Sequence, residues 1–151
     1  MIIFFCKDVA EINGQFEVIT LIEVLEHIPD DSIIPFLNTI RTRLSTEGKL
    51  CISVPSINIP VNKKHYRHYS LELLTKTLKA AGFEITHVYY IYKKYWLIET
   101  IRRLITNRFY MLKASALTKY LWHLHQRATY MAEEHNALHI VAEARIDSTI
   151  I

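Results

Sequence analysis

The sequence predicts an α/β fold, a parallel-rich sheet with helices on both faces, and three observations carry that prediction. Short β-prone apolar runs alternate with segments of helical period. The strand runs are largely apolar, as expected where a sheet is buried on both sides. Polar residues follow the first three runs directly, and such sheets hold ligands beyond the carboxyl ends of their strands. Asp8 follows the first run, Glu23, Glu26 and His27 the second, and Ser56 and Asn58 the third. The 151 residues are read as one domain, 1–151.

The elements follow in order. Ile2–Cys6 is uniformly apolar and predicts a buried strand; Asn13-Gly14 marks a turn, and Phe16–Leu21 predicts a second strand. Ser32 is placed to cap a helix whose Ile33, Ile34, Phe36, Leu37, Ile40 and Leu44 recur at helical spacing. Pro35 fits its first turn, and Gly48 is expected at its C′ position. Leu50–Val54 predicts a third strand, ended by Pro55 and followed by a loop from Ser56 to Tyr69. Ser70 caps a helix with Leu71, Leu74, Leu78 and Ala81 on its apolar stripe, closed by Gly82. Phe83–Tyr92 predicts a strand with Phe83, Ile85, His87, Tyr89 and Ile91 on one face. Residues 95–105 and 117–131 have the spacing of two amphipathic helices, which makes 94–135 a helical insertion or lid. A last strand is expected at Ala137–Ala144.

Composition removes several functions. The three glycines, Gly14, Gly48 and Gly82, are each more than thirty residues apart. Glycine-rich nucleotide and phosphate loops need two or three within about six residues, so an intact dinucleotide fingerprint and a P-loop are excluded. Net charge is +3, too small to name a polyanionic partner. Its distribution is uneven: Lys93 to Arg127 holds eight basic residues and one acid, a local +7. Cys6 and Cys51 lie in apolar runs and are expected as buried, reduced thiols of a cytoplasmic protein. No apolar run approaches the ~18 residues of a membrane span.

An ordered series of motifs then resembles class I S-adenosylmethionine-dependent methyltransferases. Phe16-Glu17-Val18-Ile19, followed by Glu23-Val24-Leu25-Glu26-His27-Ile28-Pro29, is similar to the family's fourth strand and the loop after it. Glu47-Gly48-Lys49-Leu50-Cys51-Ile52-Ser53-Val54-Pro55-Ser56, His65-Tyr66-Arg67-His68-Tyr69-Ser70 and Ala81-Gly82-Phe83 follow in the family's order. Ala137–Arg145 resembles its final antiparallel strand. The likeness covers about residues 1–92 and 136–146 and implies a partial Rossmann-like sheet with a two-helix insertion. It departs from the family pattern in front. The acidic glycine-rich loop and the acid-ended strand that hold the cofactor's methionine and ribose have no counterpart here. That implies either part of a longer enzyme or a smaller, re-paired sheet with an exposed edge open to self-association.

The resemblance implies S-adenosylmethionine as cofactor, with doubtful binding by this chain alone. Asp8 would accept from the adenine amino group with Val9 beside the ring, and Glu23 would line the methionine end. Each acid also reads as an ordinary turn or strand-end carboxylate. His27 is the candidate general base, with Glu26 orienting it, because an imidazole takes protons near neutral pH; the pair could equally just fix the loop. Tyr66, Arg67, His68 and Tyr69 would face substrate or simply pack before the Ser70 cap. The reaction implied is methyl transfer, most simply O-methylation, to a small-molecule or lipid-like acceptor. Two alternatives stand beside it. One is a degenerate, non-catalytic interaction module. The other is a metal-assisted RNA 2′-O-methyltransferase-like enzyme, with Mg²⁺ or Mn²⁺ on Glu23, Glu26, His27 and His65 or His68. The basic stretch 93–127 could touch a membrane surface or nucleic acid, or be a solvated face. His123, His125, His135 and His139 lack zinc-like spacing with cysteine and are read as surface or core histidines.

Overall fold

The computed structural model describes residues 12–93, 106–107, 110–111 and 130–148. The strand expected at 2–6, with Cys6, Asp8 and Val9, lies outside the described residues, as does most of 95–129. The elements are β1 (Phe16–Ile22), a single 3₁₀ turn (Leu25–His27), α1 (Ile33–Arg43), β2 (Leu44–Pro55), α2 (Leu71–Ala80), β3 (Phe83–Lys93), β4 (Thr106–Asn107), β5 (Tyr110–Met111) and β6 (Ala137–Ile146).

Four strands form one sheet in the order β1-β2-β6-β3. β1 pairs parallel with β2, while β6 runs antiparallel between β2 and β3, so three strands point one way and the last returns between them. That is the expected parallel-rich sheet with a final antiparallel strand. Leu50, Ile52 and Val54 of β2 and Ile140, Ala142 and Ala144 of β6 pack against Leu37 and Ile40 of α1 and Leu74 and Leu78 of α2. Each large aliphatic side chain so buried contributes about 1.5–3 kcal/mol. The opposite face carries Cys51, Ser53, His139, Val141 and Glu143, and no described helix covers it. The further helices expected, at 95–105 and 117–131, lie outside the described residues but for 130 and 131. Cys51 is correspondingly half-buried rather than buried. Among the described residues β1 is an edge strand, with Val18 54% and Ile22 70% exposed.

Local chemistry explains most boundaries. Ser70 caps α2 by accepting from the Leu73 N–H at 3.1 Å. Gly82, at φ 77°, turns the chain from α2 into β3. Ser32 does not cap α1; its hydroxyl donates to Asp31 instead. Gly48 is not a helix C′ residue, because α1 stops at Arg43 and β2 begins at once. Between Phe16↔Leu44 and Val18↔Lys49 the β2 strand bulges. A Cβ on Gly48 would stand 2.7 Å from Leu44 Cγ and 2.9 Å from the Ser45 carbonyl oxygen, so the bulge needs glycine there.

A second bulge, between Ile85 and His87, breaks the alternation expected for β3. Ile85 pairs with Ala144 on the helix side, whereas His87, Tyr89 and Ile91 pair with Glu143, Val141 and His139 on the open side. The described residues of the 94–135 insertion are not helical. β4 and β5 pair antiparallel, and Met131, expected at a helix end, bridges to Ile91 of β3.

Candidate active site

The carboxyl edge of the sheet gathers three polar groups. There the chain leaves β1 through Glu23, in left-handed backbone at φ 53°, and enters the 3₁₀ turn that carries Glu26 and His27. These two residues do not begin a helix; they sit on a separate turn anchored by fully buried Leu25. Glu26 is also fully buried, and neither carboxylate oxygen has a hydrogen-bond partner among the described residues. Burial pushes its pKa up, and the negative charge of Glu23 adds to the effect. His27 Nε2 lies 3.9 Å from Glu26 Oε1.

Three histidines follow from this turn into the loop after β2. His27 Nδ1 lies 3.0 Å from the Lys64 carbonyl, which only accepts, so Nδ1 carries the proton and Nε2 the lone pair. His68 Nδ1 donates to the Ile59 carbonyl at 2.8 Å by the same logic. Its Nε2 then accepts from His65 Nδ1 at 2.8 Å, and His65 Nε2 accepts from Asn62 Nδ2 at 3.1 Å. His65 and His27 meet edge to face, with 4.6 Å between ring centres. Burial and the neighbouring His27 and His68 hold the His65 pKa below its ordinary value.

Arg67 explains how this turn is held. Its Nε and Nη2 bond Asp30, Nη2 also donates to the Ile28 carbonyl at 2.8 Å, and Nη1 donates to the Leu25 carbonyl at 3.1 Å and the Tyr69 hydroxyl at 3.2 Å. A guanidinium has five N–H donors, so none remains for a substrate. The Tyr66 N–H donates to the Glu26 carbonyl at 2.8 Å, closing the two loops together. Of the four residues expected to face substrate, three are occupied within the protein. Arg67 clamps the turn, and Tyr69 is fully buried beneath it. His68 is buried between Ile59 and His65. Only Tyr66, 62% exposed, presents its side chain outward.

Glu23 is not a merely solvated strand-end acid. Its Oε1 accepts from Ser53 Oγ at 2.7 Å and lies 3.2 Å from His139 Nδ1. Burial acts to raise its carboxyl, but the bonds from His139 and Ser53 outweigh that and hold the pKa below the usual range. Glu23 is thereby bonded to the open side of the sheet, although its charge still reaches Glu26 and His65 in the neighbouring cluster of Glu26, His27 and His65. In that cluster one ligand atom from each residue lies within 4.8 Å of the others, which is metal-binding spacing. Of the residues expected as ligands, Glu23 and His68 are thus engaged elsewhere, and His65 ligates only by giving up its contact with Asn62 Nδ2. Sequence reasoning missed Ser53 and His139. Their approach depends on β6 inserting antiparallel beside β2, and no local spacing encodes that. A hollow between α2 and β3 lies elsewhere, lined by Leu71, Thr75, Lys79, Phe83, Ile85 and Val88. It holds none of these groups.

Solved structures similar to this chain include S-adenosylmethionine-dependent methyltransferases. The 1,6-didemethyltoxoflavin-N1-methyltransferase of Burkholderia thailandensis, solved with 1,6-didemethyltoxoflavin and S-adenosylhomocysteine, is 18% identical with a TM-score of 0.57, over 93% of this chain and 48% of that one. A mitomycin 7-O-methyltransferase gives 11% identity and 0.52 over 92% and 32%. An S-adenosylmethionine-dependent methyltransferase of Clostridium acetobutylicum gives 11% and 0.57 over 95% and 64%. The fold is therefore the Rossmann-like one of these methyltransferases. A family model described as "Methyltransferase domain" matches residues 3–88, and the chain belongs to that family. It spans less than half the length of the first two structures. Comparison with curated proteins gives no match.

The chain's three glycines are too far apart for the close backbone approach of a glycine-rich loop, and Asp8 and Val9 lie outside the described residues. Among the described residues, no helix is long and apolar enough to cross a membrane.

Proposed function

We propose that the chain supplies the acceptor side of an S-adenosylmethionine-dependent methyltransferase acting on a small-molecule or lipid-like acceptor, most simply at a hydroxyl. The observation that carries this reading is the tautomer and position of His27. Its Nδ1–H is held by the Lys64 carbonyl, which leaves Nε2 as a proton acceptor at the carboxyl edge of the sheet. Glu26, 3.9 Å away and buried, favours the imidazolium that forms when Nε2 takes a proton from an attacking hydroxyl. Arg67 keeps both residues in place through the Leu25 and Ile28 carbonyls on either side of them. S-adenosylmethionine, when bound, supplies the electrophilic methyl group. Small-molecule acceptors are supported by the named substrates of the structural neighbours. A cytoplasmic location belongs to the same reading and rests on the free thiol of Cys51. Contact of the basic stretch 93–127 with a membrane surface or nucleic acid is a further part of it, supported by charge alone.

The test is a chimera carrying the glycine-loop half of the Burkholderia enzyme in front of Met1, assayed with labelled S-adenosylmethionine and a panel of hydroxyl-bearing acceptors. Methyl transfer that falls at least about a hundredfold in His27→Ala supports the reading. A folded chimera that binds cofactor but methylates nothing would leave the non-catalytic interaction module.

A second reading draws on the unpartnered, buried Glu26 carboxylate beside His27 and His65. One carboxylate and two imidazoles suit Mn²⁺ better than Mg²⁺, and the metal would activate the acceptor hydroxyl, as in metal-assisted RNA 2′-O-methylation. Titration of MnCl₂ followed by electron paramagnetic resonance tests it. One site per chain that disappears in Glu26→Gln supports this reading, and full activity of the chimera in chelator removes it.

A further inference from the structure

A second constellation at the same sheet edge is left unused by this mechanism. Glu23, just past β1, and Tyr92, near the end of β3, both have left-handed backbone, at φ 53° and 61°. The conformation is unfavourable for any residue with a Cβ, and such outliers gather at functional sites. His139 lies between them on β6, opposite Pro55 of β2 and Ile91 of β3. The Glu23 carboxylate, whose depressed pKa keeps it ionised, only accepts, so His139 Nδ1 carries the proton of their 3.2 Å contact. The imidazole lone pair is then on Nε2, which has no hydrogen-bond partner among the described residues. The Tyr92 ring stands edge to face with the imidazole at 5.8 Å between centres, and with the Tyr130 ring at 6.4 Å. Tyr92 and Tyr130 are 42% and 57% exposed, so both rings offer surface to a ligand.

We propose that Tyr92, Tyr130 and His139 form a binding site for a planar aromatic ligand bearing a hydroxyl, whose O–H donates to His139 Nε2. The tyrosine rings supply apolar surface with the edge-and-face preference of aromatic pairs. A carboxylate behind the opposite nitrogen fixes the tautomer and makes Nε2 a better acceptor. The same carboxylate disfavours an anionic ligand, which selects for the neutral hydroxyl form. This inference rests on the methyltransferase reading only in naming its acceptor class.

Its test needs no cofactor. Uniformly ¹⁵N-labelled protein is titrated with 2-naphthol and, separately, 2-methoxynaphthalene, while long-range ¹H–¹⁵N spectra follow the imidazole nitrogens. The free protein should show His139 as the Nδ1–H tautomer. 2-Naphthol should shift Nε2 and bind about fivefold more tightly than its methyl ether, the worth of one hydrogen bond. His139→Phe should erase that preference. Tyr92→Gly, which removes the ring and relieves the backbone, should weaken both ligands alike without loss of folding. Equal affinity for the two ligands, a preference that survives His139→Phe, or an unmoved Nε2 signal each overturns the proposal. A preference for naphthol in a chain whose chimera methylates nothing would remove the methyltransferase reading and leave this site standing.

Discussion

Replacing Arg67 with alanine is the sharpest perturbation of the site. It removes the donors to the Leu25 and Ile28 carbonyls and the Tyr69 hydroxyl, all on the protein side of the turn. Each such bond is worth about 1 kcal/mol net, and a buried acceptor left unpaired costs at least that. The Asp30 carboxylate is 90% exposed, so its ion pair adds only about 0–1 kcal/mol. Arg67→Ala is expected to cost about 3–4 kcal/mol, and Asp30→Asn under about 1 kcal/mol. Lysine keeps the charge but offers a single point donor, so Arg67→Lys should recover less than half of the loss. Urea unfolding followed by far-ultraviolet circular dichroism measures all three. Amide exchange adds a local readout, since the Tyr66 N–H on the Glu26 carbonyl should lose protection first in Arg67→Ala. An alanine variant within about 1 kcal/mol of the parent would refute the clamp. So would an Asp30→Asn variant that costs as much, because the ion pair would then outweigh the carbonyl bonds.

The two acids of the site should respond to pH in opposite senses. Glu26 has a raised folded pKa, so stability falls as pH climbs from about 4.5 through that value, and Glu26→Gln should flatten the fall and be the more stable chain at neutral pH. Glu23 has a lowered folded pKa, so its contribution is complete above about pH 4.5 and lost as pH falls through the folded value; Glu23→Gln should lose about 0.5–1 kcal/mol at neutral pH and nothing at the acid end. Both are read from denaturant midpoints taken across pH. Gly48→Ala must displace the Leu44 side chain and the Ser45 carbonyl and should cost about 1–3 kcal/mol; thermal unfolding that matches the parent would show the bulge to be soft. Charged residues on the exposed edge strand, Val18→Lys with Ile22→Lys, should reduce concentration-dependent association in sedimentation velocity.

The α/β class, the order of strands and helices and the caps at Ser70 and Gly82 are legible in local sequence, because propensity, period and capping chemistry act over a few residues. The Glu26–His27 pair is equally legible as polar chemistry just past a strand. Other features depend on contacts made after the chain folds back. Gly48 looks like a helix stop until the Leu44 bulge shows why a Cβ cannot fit there. Arg67 and Tyr69 look like substrate residues until the Leu25 and Ile28 carbonyls, some forty positions away, are seen to consume the guanidinium.

Sequence by itself determined that Glu23, Glu26 and His27 follow a strand, and therefore that they stand at one edge of a sheet. Tertiary structure alone decided which way each acid faces. Glu23 turns to the open side, because β6 inserts antiparallel beside β2 and brings His139, 116 residues on, to its carboxylate. Glu26 turns inward beneath the Arg67 clamp, where no donor among the described residues meets it. A period of two or 3.6 residues records which side of its own element a residue occupies. It carries no record of which strand will lie alongside, and that pairing set the chemistry of both acids.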